Sequence, residues 1–428
     1  DVLDRRTPDA VGRELSVLGL GAGRTWRWRA VVVDDAGVRH ASTEATFATP
    51  PPPDGFPRIE VTAAEPGAEV RYVLAAMIDE GVSSFVGIFD RDGTWVWWVV
   101  PEEGQVVVTP ELGLDRRSVL WAEYDTDKND DHGQIVRVSL DGTVRTVTRV
   151  ARGHHDFVEH DDGTIAYLAL TFTDAEGAGG EPIRLASDQI RVVPEGAVDA
   201  DEPALVFDMF RDFDGEPVLT CNHQTSPEDR FGEAGSLEWT HANSLVYASD
   251  EGAYYVGQKV TDTILKVDRA TGAVDWAMNG MYGEFTLPDG SAPWQSVTNN
   301  RLWSHPHWSS LGPTSAGTGS ALVFDNGDHH TPLVSRAIEI AWDEDAREVE
   351  ILWELPHEDG GQTRALGDVR RMPAGDVLIT WAGLGDLEEV TPDATANERA
   401  PVWQAALPPG WLAGRIVPLD DLYAPTLP

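Results

Sequence analysis

His241-Ala242-Asn243-Ser244-Leu245-Val246-Tyr247-Ala248, a turn through Gly252, Ala253-Tyr254-Tyr255-Val256-Gly257-Gln258-Lys259, then Ile264-Leu265-Lys266-Val267-Asp268 and, past Thr271-Gly272, Val274 to Trp276: the stretch reads as four short strands in succession. Runs rich in β-branched and aromatic residues, bounded by Gly and Asp turns, are the signature of strands. The unit recurs. Asp92-Gly93, Asp141-Gly142, Glu195-Gly196, Thr271-Gly272, Asp345-Ala346 and Asp393-Ala394 mark comparable turns at intervals of 48 to 76 residues, about a four-stranded blade plus insertions. Trp98, Trp276, Trp353 and Trp403 follow four of these turns at a similar offset, as expected if large rings fill the space between neighbouring blades. Helical periodicity with caps is nearly absent, so the pattern predicts an all-β chain, a six-bladed β-propeller over residues 54–428. A pair of stacked β-sandwiches is the alternative, because strand repetition alone does not separate radial from stacked packing.

The first fifty residues read differently. Glu14 to Leu18, Arg24 to Asp34 and Ala45 to Thr49 give three strand-like runs, and Pro50 to Pro53 form a stiff linker. Leu20, then Gly21-Ala22-Gly23-Arg24-Thr25, then Trp26 resembles the turn into the sixth strand of a fibronectin type III module. The resemblance implies that residues 1–53 are a partial, sandwich-like β segment whose opening strands are missing; a generic hairpin pair is the plainer reading.

Composition excludes whole classes of function. Of 428 residues 41% are apolar and 16 are Trp, enough for a large packed core. Seventy-two acidic residues against 32 basic ones leave a formal charge of −40, which disfavours nucleic acid and anionic membrane surfaces as partners. The lone Cys221 can form no internal disulfide, and a CxxC metal site is excluded. No apolar run is long enough to span a bilayer and no signal segment opens the sequence, so a soluble protein is expected.

Four units begin with a polar residue on their first strand: His154-His155-Asp156-Phe157, His241-Ala242-Asn243-Ser244, His305-Pro306-His307 and Gly367-Asp368-Val369. In a propeller the first strand of every blade lines the central channel, and all run the same way, so their starts meet at one rim. The antiparallel second strand returns Lys259 to that rim. His155, His241, His307 and Lys259 are therefore expected to converge.

The order of these motifs, with Ile264-Leu265-Lys266-Val267-Asp268, Phe324-Asp325-Asn326-Gly327 and Ser335-Arg336, resembles the arylsulfotransferase family over roughly residues 56 to 425. The resemblance implies a bacterial six-bladed propeller, periplasmic or extracellular. It moves a sulfuryl group from a phenolic sulfate to a phenol, with no nucleotide donor and no cofactor. It implies that His307 becomes transiently sulfated in a ping-pong cycle, that His155 and His241 are the other channel histidines, and that Asn243 is a polar neighbour. Lys259 stands where that family usually has arginine, which keeps the charge and loses the bidentate fork. His305, two residues before His307, is expected on the same side of its strand and is a candidate for substrate contact or for the nucleophile itself.

The chemistry is coherent without the family. A neutral imidazole is an effective nucleophile toward a sulfuryl group whose oxygens are held by cations or donors. Two other readings stay open: a metal-dependent hydrolase or lyase, since three histidines meet the ligand count of a catalytic zinc, and a non-catalytic scaffold. No metal is assigned. His329-His330 reads as a polar loop at the channel mouth, and Arg336 as a structural ion-pair partner, with Glu339 the candidate carboxylate. Asp125 to Asp131 reads as an acidic turn that only imitates a calcium loop. Cys221 reads as an unreactive thiol in an inter-blade insertion, away from the repeating strands.

Overall fold

The computed structural model describes residues 16–423 except 80–83, 126, 128–130, 178, 199–202, 218, 220, 222–230, 234, 313, 315–316, 396–397 and 399. Most of the Asp125 to Asp131 turn thus lies outside the described residues. Strand pairing yields six sheets around an axis, antiparallel throughout except for a short parallel strand, Leu237–Glu238, added to Pro182–Pro194. Blade 1 holds Tyr72–Asp79, Ser84–Asp90 and Trp95–Val99; blade 2 runs from Gln105–Leu112 to Arg145–Arg149; blade 3 from Gly153–Glu159 to Ala204–Asp208. Blade 4 runs from Ala242–Ala248 to Val274–Met278, blade 5 from Pro306–Leu311 to Glu348–Pro356, and blade 6 from Asp368–Arg371 to Trp403–Ala406. The chain is a six-bladed β-propeller. All six turns singled out in the sequence join the third and fourth strands of a blade. Gly272 shows why that position is so often Gly: its φ is 72°, and a Cβ there would meet the Val206 carbonyl oxygen at 2.1 Å.

Two distant pairings shut the ring. Trp411–Leu419 lies against Tyr72–Asp79 as the inner strand of blade 1, and Glu60–Ala64 adds a fifth, outer strand to blade 6 along Trp403–Ala406. Each inner strand then neighbours the next around the axis.

The apolar core is divided into six wedges, each between two adjacent blades. Large aromatics do the filling: Trp276 of blade 4 meets Trp342 of blade 5 edge-on at 6.1 Å, and Trp403 of blade 6 stacks on Phe89 of blade 1 at 6.4 Å. Trp353 donates its indole N–H to the Ala394 carbonyl across the interface between blades 5 and 6. Truncating such a buried ring to alanine typically costs about 3–5 kcal/mol.

Ahead of the propeller, Thr25–Trp28 pairs with Ala45–Ala48 and Val31–Val33 with Arg39–Ala41, a single two-stranded ribbon. Of the run Glu14 to Leu18, expected as a strand, Ser16 to Leu18 do not form one and the first two residues lie outside the described residues. The ribbon is tied to blade 1 through the Ala22 amide on the Trp95 carbonyl, and Phe56 stacks on Phe85 with centroids 3.7 Å apart.

Candidate active site

The inner strands begin in an unusual conformation. His155, His241 and His305 have φ of 52°, 54° and 54°, in the left-handed region that non-glycine residues seldom occupy. Buried acceptors hold the backbone there: Asp188 Oδ2 takes the Ala242 N–H at 2.8 Å, and Asp262 Oδ1 takes the His305 N–H at 2.7 Å. The Thr109 hydroxyl donates to the His155 carbonyl. A left-handed residue breaks the alternation of a strand, so the side chains on either side of it no longer obey the simple two-residue period.

His307 sits past that break, in regular pairing with Phe324. Its Nδ1 lies 2.7 Å from Asn326 Oδ1, and the Asn326 amide is itself oriented, because Nδ2 donates to the carbonyls of Thr363 and Leu366 at 2.8 and 2.9 Å. The oxygen must therefore face the ring, so His307 carries its proton on Nδ1 and its lone pair on Nε2. Burial in the channel wall pushes the imidazole pKa down to about 4; the Asn326 bond opposes this, and the nearby charges of Lys259, His241 and Arg415 reinforce it. His307 is thus a neutral base at physiological pH. Since its ionisation is depressed relative to the unfolded chain, its contribution to stability is present above about pH 6.5 and is lost as the pH falls through 4.

Around it stand the other expected residues. The rings of His155 and His241 are 4.8 Å apart. His241 Nδ1 is 2.8 Å from Glu238 Oε1, and His155 Nδ1 is 2.9 Å from His154 Nδ1, whose far nitrogen lies 3.2 Å from buried Asp188. Burial alone would raise Asp188, yet His154, Thr240 and the Ala242 amide outweigh it and hold the carboxyl below its usual range. Asn243 Nδ2 donates to the Pro306 carbonyl at 2.9 Å, bracing the backbone beside His307. Lys259 is half-buried near enough to His307 to depress it, and among the described residues its ammonium has no carboxylate partner, Asp262 included.

His155, Asn243 and His307 share the wall of one cavity of ≈ 160 Å³ with Thr109, Asp368 and Arg415. Ala76, Ile78, Val108, Tyr124 and Leu366 make its apolar side. An apolar cavity of about 150 Å³ holds one benzene ring, so an aryl group fits. His241 and Lys259 adjoin the site beside His307 rather than lining this cavity.

Arg415 was not anticipated. It comes from the inner strand of blade 1, and its Nη1 meets Asp156 at 2.5 Å while Nε lies 3.5 Å from Glu111 and 3.9 Å from Asp368. Burial works against its charge, but these carboxylates keep the guanidinium protonated. Its sequence signal, Gly414-Arg415, sits at the same place on an inner strand as Gly367-Asp368, and is visible only once the closing strand is recognised.

His305 does not join the group. Its left-handed backbone turns the ring away from His307 into a buried cluster, where Nδ1 bonds Asp328 Oδ2 at 2.7 Å and Nε2 approaches Cys221 Sγ at 3.1 Å. Cys221 is accordingly not remote from the blades, and His329 turns inward to the same cluster instead of lining the mouth. Arg336 is structural as expected, but it pairs with Asp325 and Glu354, at 2.7 and 2.6 Å. Glu339, three residues along the same strand, points to the opposite face and pairs with Arg371.

With the geometry in place, comparison with known proteins becomes decisive at one point: the model of the family described as Arylsulfotransferase (ASST) matches residues 59–404. The chain belongs to the arylsulfotransferase family. That membership supports an aryl sulfotransferase acting on small phenolic substrates, and among the described residues no helix is long and apolar enough to cross a membrane. No curated protein sequence matches this arylsulfotransferase. Solved structures resemble it distantly, among them a Bacteroides caccae protein of unknown function (12% identity, 78% of this chain and 94% of that one, TM-score 0.39) and a catalytically inactive virginiamycin B lyase from Staphylococcus aureus (11%, 80% and 89%, 0.35). At such similarity neither informs the chemistry of the arylsulfotransferase.

Proposed function

We propose that the enzyme transfers a sulfuryl group from a phenolic sulfate to a phenolic acceptor by a ping-pong route through His307. The observation that carries this reading is the fixed tautomer: Asn326 commits the Nδ1 proton, and the Nε2 lone pair belongs to a neutral ring on the wall of a cavity sized for an arene. In the first half-reaction that lone pair attacks sulfur. The S–O(aryl) bond breaks, its electron pair stays on the phenol oxygen, and His241, oriented by Glu238, delivers a proton to it. In the second, the acceptor phenol returns a proton to His241 as its oxygen attacks the sulfo-imidazole and the S–N bond breaks. Lys259 holds the sulfuryl oxygens, which gather negative charge throughout. Arg415 is already neutralised by three carboxylates, one of which, Asp368, lines the cavity beside it. Incubation with a chromogenic aryl sulfate tests the reading: release of phenol stimulated by an added acceptor supports it, and acceptor-independent hydrolysis alone would count against it. The family reading also leads us to place the enzyme in the periplasm or outside the cell, without a cofactor.

Asn326 should matter through His307 alone. Asn326→Ala frees the tautomer and should lower kcat roughly 10²-fold with little change in KM, the order typical of a misoriented base. Asn326→Asp should instead move the acid limb upward, because a carboxylate favours the imidazolium. A KM effect without a kcat effect would show that Asn326 acts on binding.

The pH profile of sulfuryl uptake follows from the depressed ring. With a donor whose phenol leaves unassisted, the single-turnover rate should stay level down to about pH 5 and fall tenfold per unit below 4. A midpoint near 6.5 would mean that the nucleophile is an ordinary, solvated histidine.

We also propose that residues 1–53 take no part in the chemistry. Deleting 1–50 should leave turnover within about twofold while lowering Tm, since the ribbon's ties to blade 1 are lost. Loss of turnover in a truncated chain that keeps its β circular dichroism would refute this.

A further inference from the structure

Outside the transfer site, one set of side chains has the makings of a metal centre. Cys221 Sγ, His305 Nε2 and His329 Nε2 form a triangle with edges of 3.1, 3.5 and 3.2 Å, and Cys221 and His305 are buried. Among the described residues this is the one group of three donors so gathered. Ligands at about 2.0 Å (N) and 2.3 Å (S) from a tetrahedral ion lie roughly 3.3–3.6 Å from one another, close to these edges. The second layer fits too. His305 Nδ1 bonds Asp328 Oδ2, and Asp328 Oδ1 accepts from Gln362 Nε2 at 2.6 Å. A carboxylate on the far nitrogen fixes the tautomer that turns Nε2 toward a metal.

We propose that Cys221, His305 and His329 bind a zinc ion. One thiolate and two imidazoles are a borderline-soft set that suits Zn²⁺, whereas Mg²⁺ and Ca²⁺ want oxygen. The ion would join three parts of the chain: the inter-blade segment at Cys221, the start of the inner strand of blade 5, and the loop after Asp325. Because Pro306-His307 follows His305 directly, it would also anchor the strand that presents His307. The same atoms admit a rival reading, a nucleophilic thiol with His305 as base and Asp328 as orienter. Two facts favour the metal. His329 brings a second nitrogen to the point where a substrate atom would have to sit, and Cys221 is only 3% exposed.

The test uses the full chain, incubated with ZnSO₄, desalted and measured by metal analysis. About one zinc per chain is expected, falling below about 0.2 in both Cys221→Ser and His329→Ala variants that retain wild-type circular dichroism. The Co²⁺-substituted protein should show a thiolate charge-transfer band that Cys221→Ser removes. Zinc should also protect Cys221 from iodoacetamide and raise Tm by a few degrees, as any ligand selective for the folded state does. Substoichiometric zinc in the wild type, unchanged zinc in both variants, or a Cys221 that alkylates equally fast with and without zinc would overturn the proposal; the last would favour the thiol nucleophile.

Discussion

His307→Ala is expected to lower transfer by about 10⁴-fold or more, the scale on which a covalent nucleophile is missed, and to leave no sulfuryl adduct on the protein. The argument rests on one atom. Nε2 of His307 has its lone pair because Nδ1 is committed to Asn326, and the imidazole is neutral because burial and the adjoining charges hold its pKa near 4. His155 Nδ1 meets another imidazole, which fixes no tautomer, and His241 Nδ1 is held by the Glu238 carboxylate, which favours the charged ring over a neutral nucleophile. They should not replace it. Mass spectrometry after brief exposure to donor alone should find the adduct on the peptide that contains both His305 and His307, and fragmentation should place it on His307. An adduct on His305 is not expected from a ring facing Asp328 and Cys221, and finding one would reverse the assignment.

The second large effect is expected at Lys259. Two cations adjoin His307, but Arg415 is matched by Asp156, Glu111 and Asp368, whereas no described carboxylate pairs with the Lys259 ammonium. The charge available to a sulfuryl group is therefore the lysine's. A charge-assisted hydrogen bond lost from the transition state is worth roughly 1.5–3 kcal/mol, so Lys259→Ala should reduce kcat about 10- to 150-fold. Lys259→Arg should be tolerated or faster, since the guanidinium adds a second parallel bond to a tetrahedral oxyanion. Near wild-type kcat in Lys259→Ala would remove this residue from the chemistry and leave the anion to Asn243 and the histidines.

The propeller was legible because each blade repeats a local event, a tight turn between its third and fourth strands, and six such turns stand in the sequence. Closure was not legible. Trp411–Leu419 meets Tyr72–Asp79 across most of the chain, and no local pattern announces so distant a pairing. Missing that strand meant missing Arg415. His155, His241 and His307 were readable because polar residues open otherwise apolar inner strands. His305 was misjudged because alternation was assumed through a residue whose φ is 54°. The cluster at Cys221 joins residues 84 and 108 positions apart, a separation at which ligand spacing has no signature.

The way the ring shuts has a consequence for the enzyme's birth. Gly414 and Arg415, which floor the cavity, lie on the strand that also completes blade 1. That strand is the last inner strand to leave the ribosome, so the pocket stays unfinished until it threads into place. A polypeptide that ends before this strand would therefore lack part of its cavity wall, and a finished cavity doubles as a report that synthesis has run to the end of the ring.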